Sequence, residues 1–309
     1  MRILAGDVGG TKTLLRCVEA GGEVSAEQRY ESGDYATFDD LFRAFVPLVP
    51  GGVDAACFAV AGPVIGARAE VTNLGWVMEA SELSRAFSIP HVTLINDFSA
   101  IALGVPLLRD GDLISLHRGQ RDTTAPIAIL GAGTGLGEAI LTYHGGLYHV
   151  VPTEGGHADF APQDAEQARL FLFLHEQLGH VSWERLVSGM GLVNIFTFLG
   201  GSNTTAADVA ERAGNGDPRA VRAFEIFVDI YGAEAGNMAL RVLARGGVFL
   251  AGGIAAKNLS WFTDGKFVEA FVRKGRFRDL METIPVDLIV NQTVGLIGAV
   301  EAARRSIGK

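Results

Sequence analysis

The chain has 309 residues, and the 48% that are hydrophobic are enough to bury the core of one large α/β domain or of two ordinary ones. Its formal net charge of -9, without any Lys/Arg cluster, argues against a nucleic-acid partner. No apolar run approaches the ~20 residues that span a bilayer, so no membrane association is expected. The two cysteines, Cys17 and Cys57, lie in strand-like apolar runs, which indicates buried thiols in a reducing compartment. With no signal-like N-terminal segment, we expect a cytoplasmic protein.

The first third of the chain alternates strand-like and helix-like segments. Apolar runs predict strands at residues 2–6, 13–19, 24–30, 55–60, 69–72 and 91–95. Apolar residues at helical spacing predict helices at residues 38–45 and 79–87. A loop is then predicted around Arg109–Thr124.

The strand pattern restarts after this loop and then gives way to helices. Strands are predicted at residues 126–130, 138–143, 147–151, 286–290 and within 246–254. Helices are predicted at residues 165–178, 184–187, 191–199, 206–213, 219–243 and 295–305. A strand, a glycine turn and a second strand occur twice, about 125 residues apart, which suggests two related halves. No Pro- or Ser-rich linker separates these halves.

Three glycine turns each follow an apolar strand. They are GDVGGTKT at residues 6–13, GAGTGLG at residues 131–137, and Gly252-Gly253. The first matches neither the Walker loop nor the dinucleotide fingerprint, and a strand follows it rather than a helix. Each turn has the alternative interpretation of a tight hairpin in which glycine supplies a positive φ. Together, with a Gly-Thr step in two of them, they favour phosphate binding by backbone amides.

Further motifs in the same order give the chain a family resemblance. They are LINDF at residues 94–98, EGGHADF at 154–160, ERLVSG at 184–189 and LAGGI at 250–254. With the glycine turns, they resemble the ATPase fold shared by sugar kinases, actin and heat-shock ATPases, and within it the bacterial glucokinase family. The resemblance covers residues 3 to about 300 in order.

The resemblance implies a fold and a reaction. The fold is α/β, a two-domain ribonuclease-H-like (actin-like ATPase) fold with a ligand cleft between the domains. The expected domains are residues 1–107 plus 292–309, a small one, and residues 108–291, a large one. The expected reaction is ATP-dependent phosphorylation of glucose to glucose 6-phosphate, the first step of glycolysis. Glucose, ATP and Mg²⁺ are the expected ligands, and a homodimer is usual for the family.

The resemblance also assigns roles to residues of this chain. Asp97 is the expected catalytic base, and Asp7 is expected to hold Mg²⁺ through water. The expected glucose-binding residues are Asn96, Glu154, His157 and Glu184. The expected ATP-binding residues are Gly6, Asp7, Val8, Gly9, Gly10, Thr11, Lys12, Gly131, Gly133, Thr134, Gly135, Gly252 and Gly253.

Each of these side chains also has an ordinary structural interpretation. Asp97 could cap the helix that begins near Phe98, since Asp is a common N-cap residue. Glu184, two residues after Ser182, could be an ordinary first-turn helix residue. Asp7 could make only local hydrogen bonds within its turn. The family resemblance is what favours the catalytic and ligand-binding roles.

A kinase of the ROK family, with another hexose or a hexosamine as acceptor, is the alternative function. Lys12 is typical of that family, whereas many glucokinases have Asn at this position. ROK proteins also carry a run of clustered cysteines that binds zinc, and this chain has no such run. His157 is therefore expected to be a sugar ligand in a protein without zinc.

Overall fold

The computed structural model describes residues 1–71, 73–202 and 204–308, and the chain divides into two compact units. Unit 1 comprises Met1–Leu108 and Asn291–Lys309, and unit 2 comprises Arg109–Val290. The predicted α/β class is confirmed, because each unit is built on its own sheet with helices between its strands.

The strands are β1 (Arg2–Val8), β2 (Lys12–Glu19), β3 (Val24–Glu31), β4 (Ala55–Val60), β5 (Val64–Ile65), β6 (Arg68–Val71), β7 (Trp76–Glu79), β8 (His91–Asn96), β9 (Leu113–His117), β10 (Ile127–Ala132), β11 (Leu136–His144), β12 (Leu147–Thr153), β13 (Gly247–Ala251) and β14 (Val286–Ile289). The α-helices are α1 (Phe38–Phe45), α2 (Ala80–Phe87), α3 (Asp97–Gly104), α4 (Ala165–Leu178), α5 (Gly189–Phe198), α6 (Ala206–Gly214), α7 (Pro218–Val242), α8 (Gly253–Lys257), α9 (Lys266–Val272), α10 (Arg278–Glu282) and α11 (Val294–Ile307).

The main sheet of unit 1 has the strand order β3-β2-β1-β4-β8. Strands β1, β4 and β8 are parallel, and Val8 pairs in register with Val60, which pairs with Asn96. The carboxyl ends of these three strands therefore meet at one edge of the sheet. In α/β proteins this is the edge at which ligands bind.

Helices cover the two faces of this sheet. On one face Phe38 and Phe42 of α1 pack edge-to-face on Phe58 of β4, with ring centroids 4.9 and 5.4 Å apart. On the other face α3 lies against α11. A Cβ atom on Gly298 of α11 would overlap the carbonyl oxygen of Ala100, so glycine is what permits this close helix contact. The contact fixes α3, whose first residue is Asp97.

The sheet of unit 2 has the strand order β12-β11-β10-β13-β14-β9. Strands β10, β13 and β14 are parallel, and the long helix α7 packs against β10 and β13 through buried aromatic residues. Tyr231 of α7 lies at the centre of this core, fully buried among Phe227, Phe262 and Phe267. The apolar strands and the long amphipathic helix thus form one core beneath the second glycine turn.

Two local predictions were wrong. The loop predicted around Arg109–Thr124 contains β9, which pairs with β14 and completes that edge of the sheet. The predicted helix at residues 184–187 is a single 3-10 turn, Trp183–Arg185.

The predicted strand at residues 69–72 corresponds to β6, and its last residue, Thr72, lies outside the described residues. Among the residues described, no helix is both long and apolar enough to cross a membrane.

Candidate active site

The first glycine turn is a hairpin between β1 and β2, and two buried side chains fix its shape. Within the turn, the Gly9 amide donates to the carbonyl oxygen of Lys12 at 3.0 Å. Ser32 donates from its Oγ to the Gly9 carbonyl at 2.7 Å and from its backbone amide to the Thr11 carbonyl at 2.9 Å. The Oγ1 atom of Thr13 lies 3.0 Å from the Oγ of Ser32, and both residues are fully buried. These hydrogen bonds therefore fix the turn from its buried side.

Lys12 stands at the end of this turn with an exposed side chain. Its Nζ lies 3.6 Å from Oε1 of Glu31, which is also exposed. Exposed ion pairs of this kind contribute little to stability. Lys12 can therefore exchange Glu31 for a phosphate without a large loss of folding free energy.

Asp7 and Asp97 are the two carboxylates at the ligand edge of unit 1. Burial, first, and the charge of Asp97, second, raise the pKa of Asp7 to about 6, with Arg29 opposing the shift. Within the described residues, no side chain or amide pairs with the Asp7 carboxylate. Two neighbouring carboxylates, of which one is part-buried and unpaired, form a pair that a cation stabilises.

Asn96 and Asp97 are connected by hydrogen bonds at the start of α3. The N-cap residue is Asn96, whose Oδ1 accepts from the amides of Phe98 at 2.9 Å and Ser99 at 3.2 Å. Its Nδ2 donates to Oδ1 of Asp97 at 2.9 Å and to the carbonyl of Gly62 at 3.3 Å. The Phe98 amide also donates to Oδ1 of Asp97, at 2.8 Å. Asn96 therefore performs the capping role considered for Asp97, and it orients the Asp97 carboxylate.

The second glycine turn joins β10 to β11 and is held by the segment at residues 184–189. The Gly133 amide donates to the Gly135 carbonyl at 2.8 Å, and the Gly133 carbonyl accepts from the Gly189 amide at 2.8 Å. Oε2 of Glu184 accepts from the Leu136 amide at 3.0 Å. Glu184 is thus more than a first-turn helix residue, because its carboxylate supports the glycine turn.

The predicted sugar loop, residues 154–157, contacts Glu184 through His157. Glu154 precedes a 3-10 turn, Gly155–His157, so both predicted side chains stand on one short turn. Nδ1 of His157 lies 3.9 Å from Oε1 of Glu184, and Nε2 lies 4.0 Å from Oε2 of Glu154. The structure thus brings Glu154, His157 and Glu184 together. The two carboxylates can accept hydrogen bonds from sugar hydroxyls, and the imidazole ring is also suited to bonding them.

The third glycine turn lies beside the second. Gly131 of β10 pairs with Ala251 of β13, and Gly252 follows with φ +87°. A Cβ atom on Gly252 would overlap the carbonyl oxygen of Ala132, so the site requires glycine. Gly253 begins α8, which makes this turn a strand-to-helix connection rather than a hairpin.

The predicted site residues therefore fall into two groups. Unit 1 brings Gly6–Lys12, Asn96 and Asp97 to one sheet edge, and unit 2 brings together the second and third glycine turns, Glu154, His157 and Glu184. Sequence reasoning missed Ser32, which nothing in its local pattern distinguishes. It also missed Glu138, an acidic residue inside the apolar strand β11. That contrast within the strand is a signal that could have identified it.

No group of three or more His, Cys, Asp or Glu residues is placed to hold a metal ion in the part of the chain that the structure describes. Mg²⁺ bound with a nucleotide needs only one or two protein carboxylates, since water and phosphate oxygens complete its shell. The unpaired Asp7 carboxylate is the donor that fits this requirement.

Known proteins are similar to this chain over nearly all of its length. A sequence model of the glucokinase family matches residues 4–306. A glucokinase of Nostoc sp. is 41% identical over 98% of this chain and 99% of its own length. The crystal structure of a glucokinase from an Antarctic psychrotroph superposes with a TM-score of 0.91 at 31% identity, covering 99% of both chains.

A ROK-family glucokinase from Streptomyces griseus, solved with glucose and AMPPNP, is more distant. It has a TM-score of 0.65 and 21% identity, covering 99% of this chain and all of its own, so it shows the shared fold alone. The family match and the full-length relatives confirm the resemblance found in the motifs. The chain belongs to the glucokinase family: it is a phosphotransferase that phosphorylates glucose.

Proposed function

We propose that Asp97 is the general base of glucose phosphorylation. It accepts the proton of the primary hydroxyl while that oxygen forms a bond to the γ-phosphorus of ATP. The bond between that phosphorus and the bridging oxygen breaks, and ADP leaves with the electron pair. The observation that carries the proposal is the position of Asp97, at the end of β8 with Oδ1 held by Asn96 and the Phe98 amide.

Glucose is held by Glu154, His157, Glu184 and Asn96. Carboxylates accept strong, charge-assisted hydrogen bonds from sugar hydroxyls, and a neutral imidazole both donates and accepts. The contacts of His157 with two carboxylates support a shared role for the three residues of unit 2. The Asn96 amide already bonds the helix start and Asp97, so it links sugar binding to the orientation of the base.

ATP is bound by the glycine turns. Glycines leave parts of the backbone at Gly9–Lys12 and Gly133–Gly135 without side chains. Ser32 fixes the first of these turns, and Glu184 and Gly189 fix the second. Such turns let amides approach phosphate oxygens closely. Gly252 and Gly253 contribute the third turn. Asp7 would hold Mg²⁺, which when bound neutralises charge on the phosphates.

Two properties of the whole protein belong to the same proposal. The two cysteines are both buried and unpaired, which supports action in the reducing cytoplasm.

A homodimer is proposed from the family resemblance and is tested by light scattering at several protein concentrations.

Replacing Asp97 with Asn tests the assignment of the base. Asp97→Asn retains an oxygen that accepts from Asn96 and Phe98 but removes the basicity. We expect kcat to fall by roughly two to four orders of magnitude, with a much smaller change in the Kd for glucose measured by calorimetry. Near-normal kcat in a correctly folded variant would exclude Asp97 as the base.

A further inference from the structure

Glu138 is a buried carboxyl group for which the proposed mechanism has no use. It lies in β11 opposite Thr153 of β12, and only 3% of its surface is exposed. Neither of its oxygens has a hydrogen-bond partner among the described residues. Buried polar atoms are nearly always paired, so an exception of this kind points to a role.

The Glu138 carboxyl lies directly beneath the sugar loop. A Cβ atom on Gly155 would overlap Oε2 of Glu138, so the carboxyl occupies the space that a side chain at position 155 would need. The Gly155 amide donates to Oγ1 of Thr153 at 2.8 Å, which brings the loop down onto β11 and β12. Gly156 is equally close, because a Cβ there would overlap the carbonyl oxygen of Leu136.

Charged and titratable groups reach Glu138 from α7. Glu234 is fully buried, and its oxygens accept from Nη1 of Arg241 at 2.6 Å and from Nδ2 of Asn237 at 2.9 Å. Tyr231, also on α7, is close enough for the charge of Glu138 to raise the pKa of its hydroxyl. Behind this group, Lys274 donates to Oδ1 of Asn237 at 2.7 Å.

These surroundings disfavour a charge on Glu138. Burial, first, and the negative charge of Glu234, second, raise the pKa of Glu138 to about 8, and Arg241 opposes the shift only in part. Burial also lowers the pKa of Lys274 to about 8 and raises the pKa of Glu234, so two further groups in this region have shifted titrations. Any experiment on one of these groups must therefore control for the others.

We propose that Glu138 is a positioning residue for the sugar loop. The uncharged acid supports the loop, and the ionised carboxylate displaces it. This inference rests on the proposed role of Glu154 and His157 in glucose binding. An ionised Glu138 needs solvation, and the nearest groups able to make room for water are the side-chain-free residues Gly155 and Gly156. Movement of that turn carries Glu154 and His157 with it, so glucose affinity falls more than the affinity for ATP.

The pH dependence of the KM for glucose tests this inference. At saturating ATP, we expect the wild-type KM for glucose to be flat from pH 7 to 8 and to rise about tenfold per pH unit once Glu138 has ionised. The Glu138→Gln variant, which cannot ionise, should keep a low KM up to pH 9.5. The KM for ATP should show no such rise in either protein.

Two control variants separate the possible sources of the effect. Lys274→Arg keeps a cation at that position throughout the pH range, and we expect it to retain the wild-type rise. Glu166→Gln removes a different part-buried glutamate of unit 2, one that pairs with Arg222, and it should also behave as wild type. Loss of the rise in Lys274→Arg would assign the effect to the lysine and overturn the inference.

The wild-type measurement is decisive even if Glu138→Gln does not fold. A wild-type KM for glucose that stays flat to pH 9.5 overturns the role of Glu138, and so does a rise that persists in a folded Glu138→Gln variant. Failure of the proposed sugar loop is distinguishable, because His157→Ala would then leave the KM for glucose unchanged at pH 7.

Discussion

His157 lies between two carboxylates, within 4.0 Å of Glu154 and 3.9 Å of Glu184. Its ring is more than half exposed, so it contributes little to the core. We predict that His157→Ala raises the KM for glucose about 5- to 150-fold, equivalent to ~1–3 kcal/mol of lost hydrogen bonding. The Tm should change little, because no buried contact is lost. Steady-state kinetics and a thermal melt measure the two quantities.

His180 provides a matched control for this residue. Its side chain is 60% exposed against 59% for His157, and it also contacts a carboxylate, Asp159, at 2.9 Å. His180→Ala should leave the KM for glucose unchanged. Equal effects of the two substitutions on the KM for glucose, or an unchanged KM in a folded His157→Ala variant, would show that His157 is not a sugar ligand.

At the scale of single elements, the second and third glycine turns use glycine for different reasons. A Cβ atom on Gly133 would meet nothing within 4 Å, and its φ is not positive. Gly133→Ala should therefore leave the fold intact and raise the KM for ATP, since the methyl group obstructs the approach of a phosphate. Gly252 has φ +87° and lies against Ala132, so Gly252→Ala should lower the Tm as well. Unchanged ATP kinetics in Gly133→Ala would make GAGTGLG a hairpin without a ligand.

The elements that sequence predicted well are those with strong local patterns. The amphipathic helix at residues 38–45 and the uniformly apolar strand at residues 55–60 have the bounds expected from their periodicity. Strand β9 was missed because its burial alternates weakly and its pairing with β14 joins residues far apart in the chain. Ser32 supports the first glycine turn although it lies 23 residues from Gly9, and no local sequence pattern predicts this contact. The motifs thus predicted which residues lie close together in each unit. Strand pairing and hydrogen bonds between residues far apart in the chain determine how those residues are fixed.

At the scale of the whole molecule, Glu138 should make stability depend on pH. Its pKa is raised from 4.5 in the unfolded chain to about 8, so the folded state binds more protons in this window and the free energy of unfolding falls as the pH rises. Asp7 acts in the same direction only up to about pH 6, and Lys274 acts in the opposite direction only above about pH 8. Burial also raises the pKa of Glu234, so the comparison of wild type with Glu138→Gln, rather than the pH window alone, assigns the effect to Glu138.

Denaturant unfolding of wild type and Glu138→Gln at pH 6 and pH 8 measures this contribution. We predict that the stability of the variant relative to wild type increases by roughly 1–3 kcal/mol between the two pH values. The groups common to both proteins cancel in this difference. Parallel stability curves for the two proteins would mean that Glu138 ionises normally in the folded state.

The central claim is that this chain transfers the terminal phosphoryl group of ATP to glucose. The most direct test is an ADP-release assay with glucose, mannose, fructose, glucosamine and N-acetylmannosamine, with the glucose product identified separately. We predict ADP release with glucose and a product that is glucose 6-phosphate. No ADP release with glucose, or a glucose product phosphorylated at another position, would contradict it.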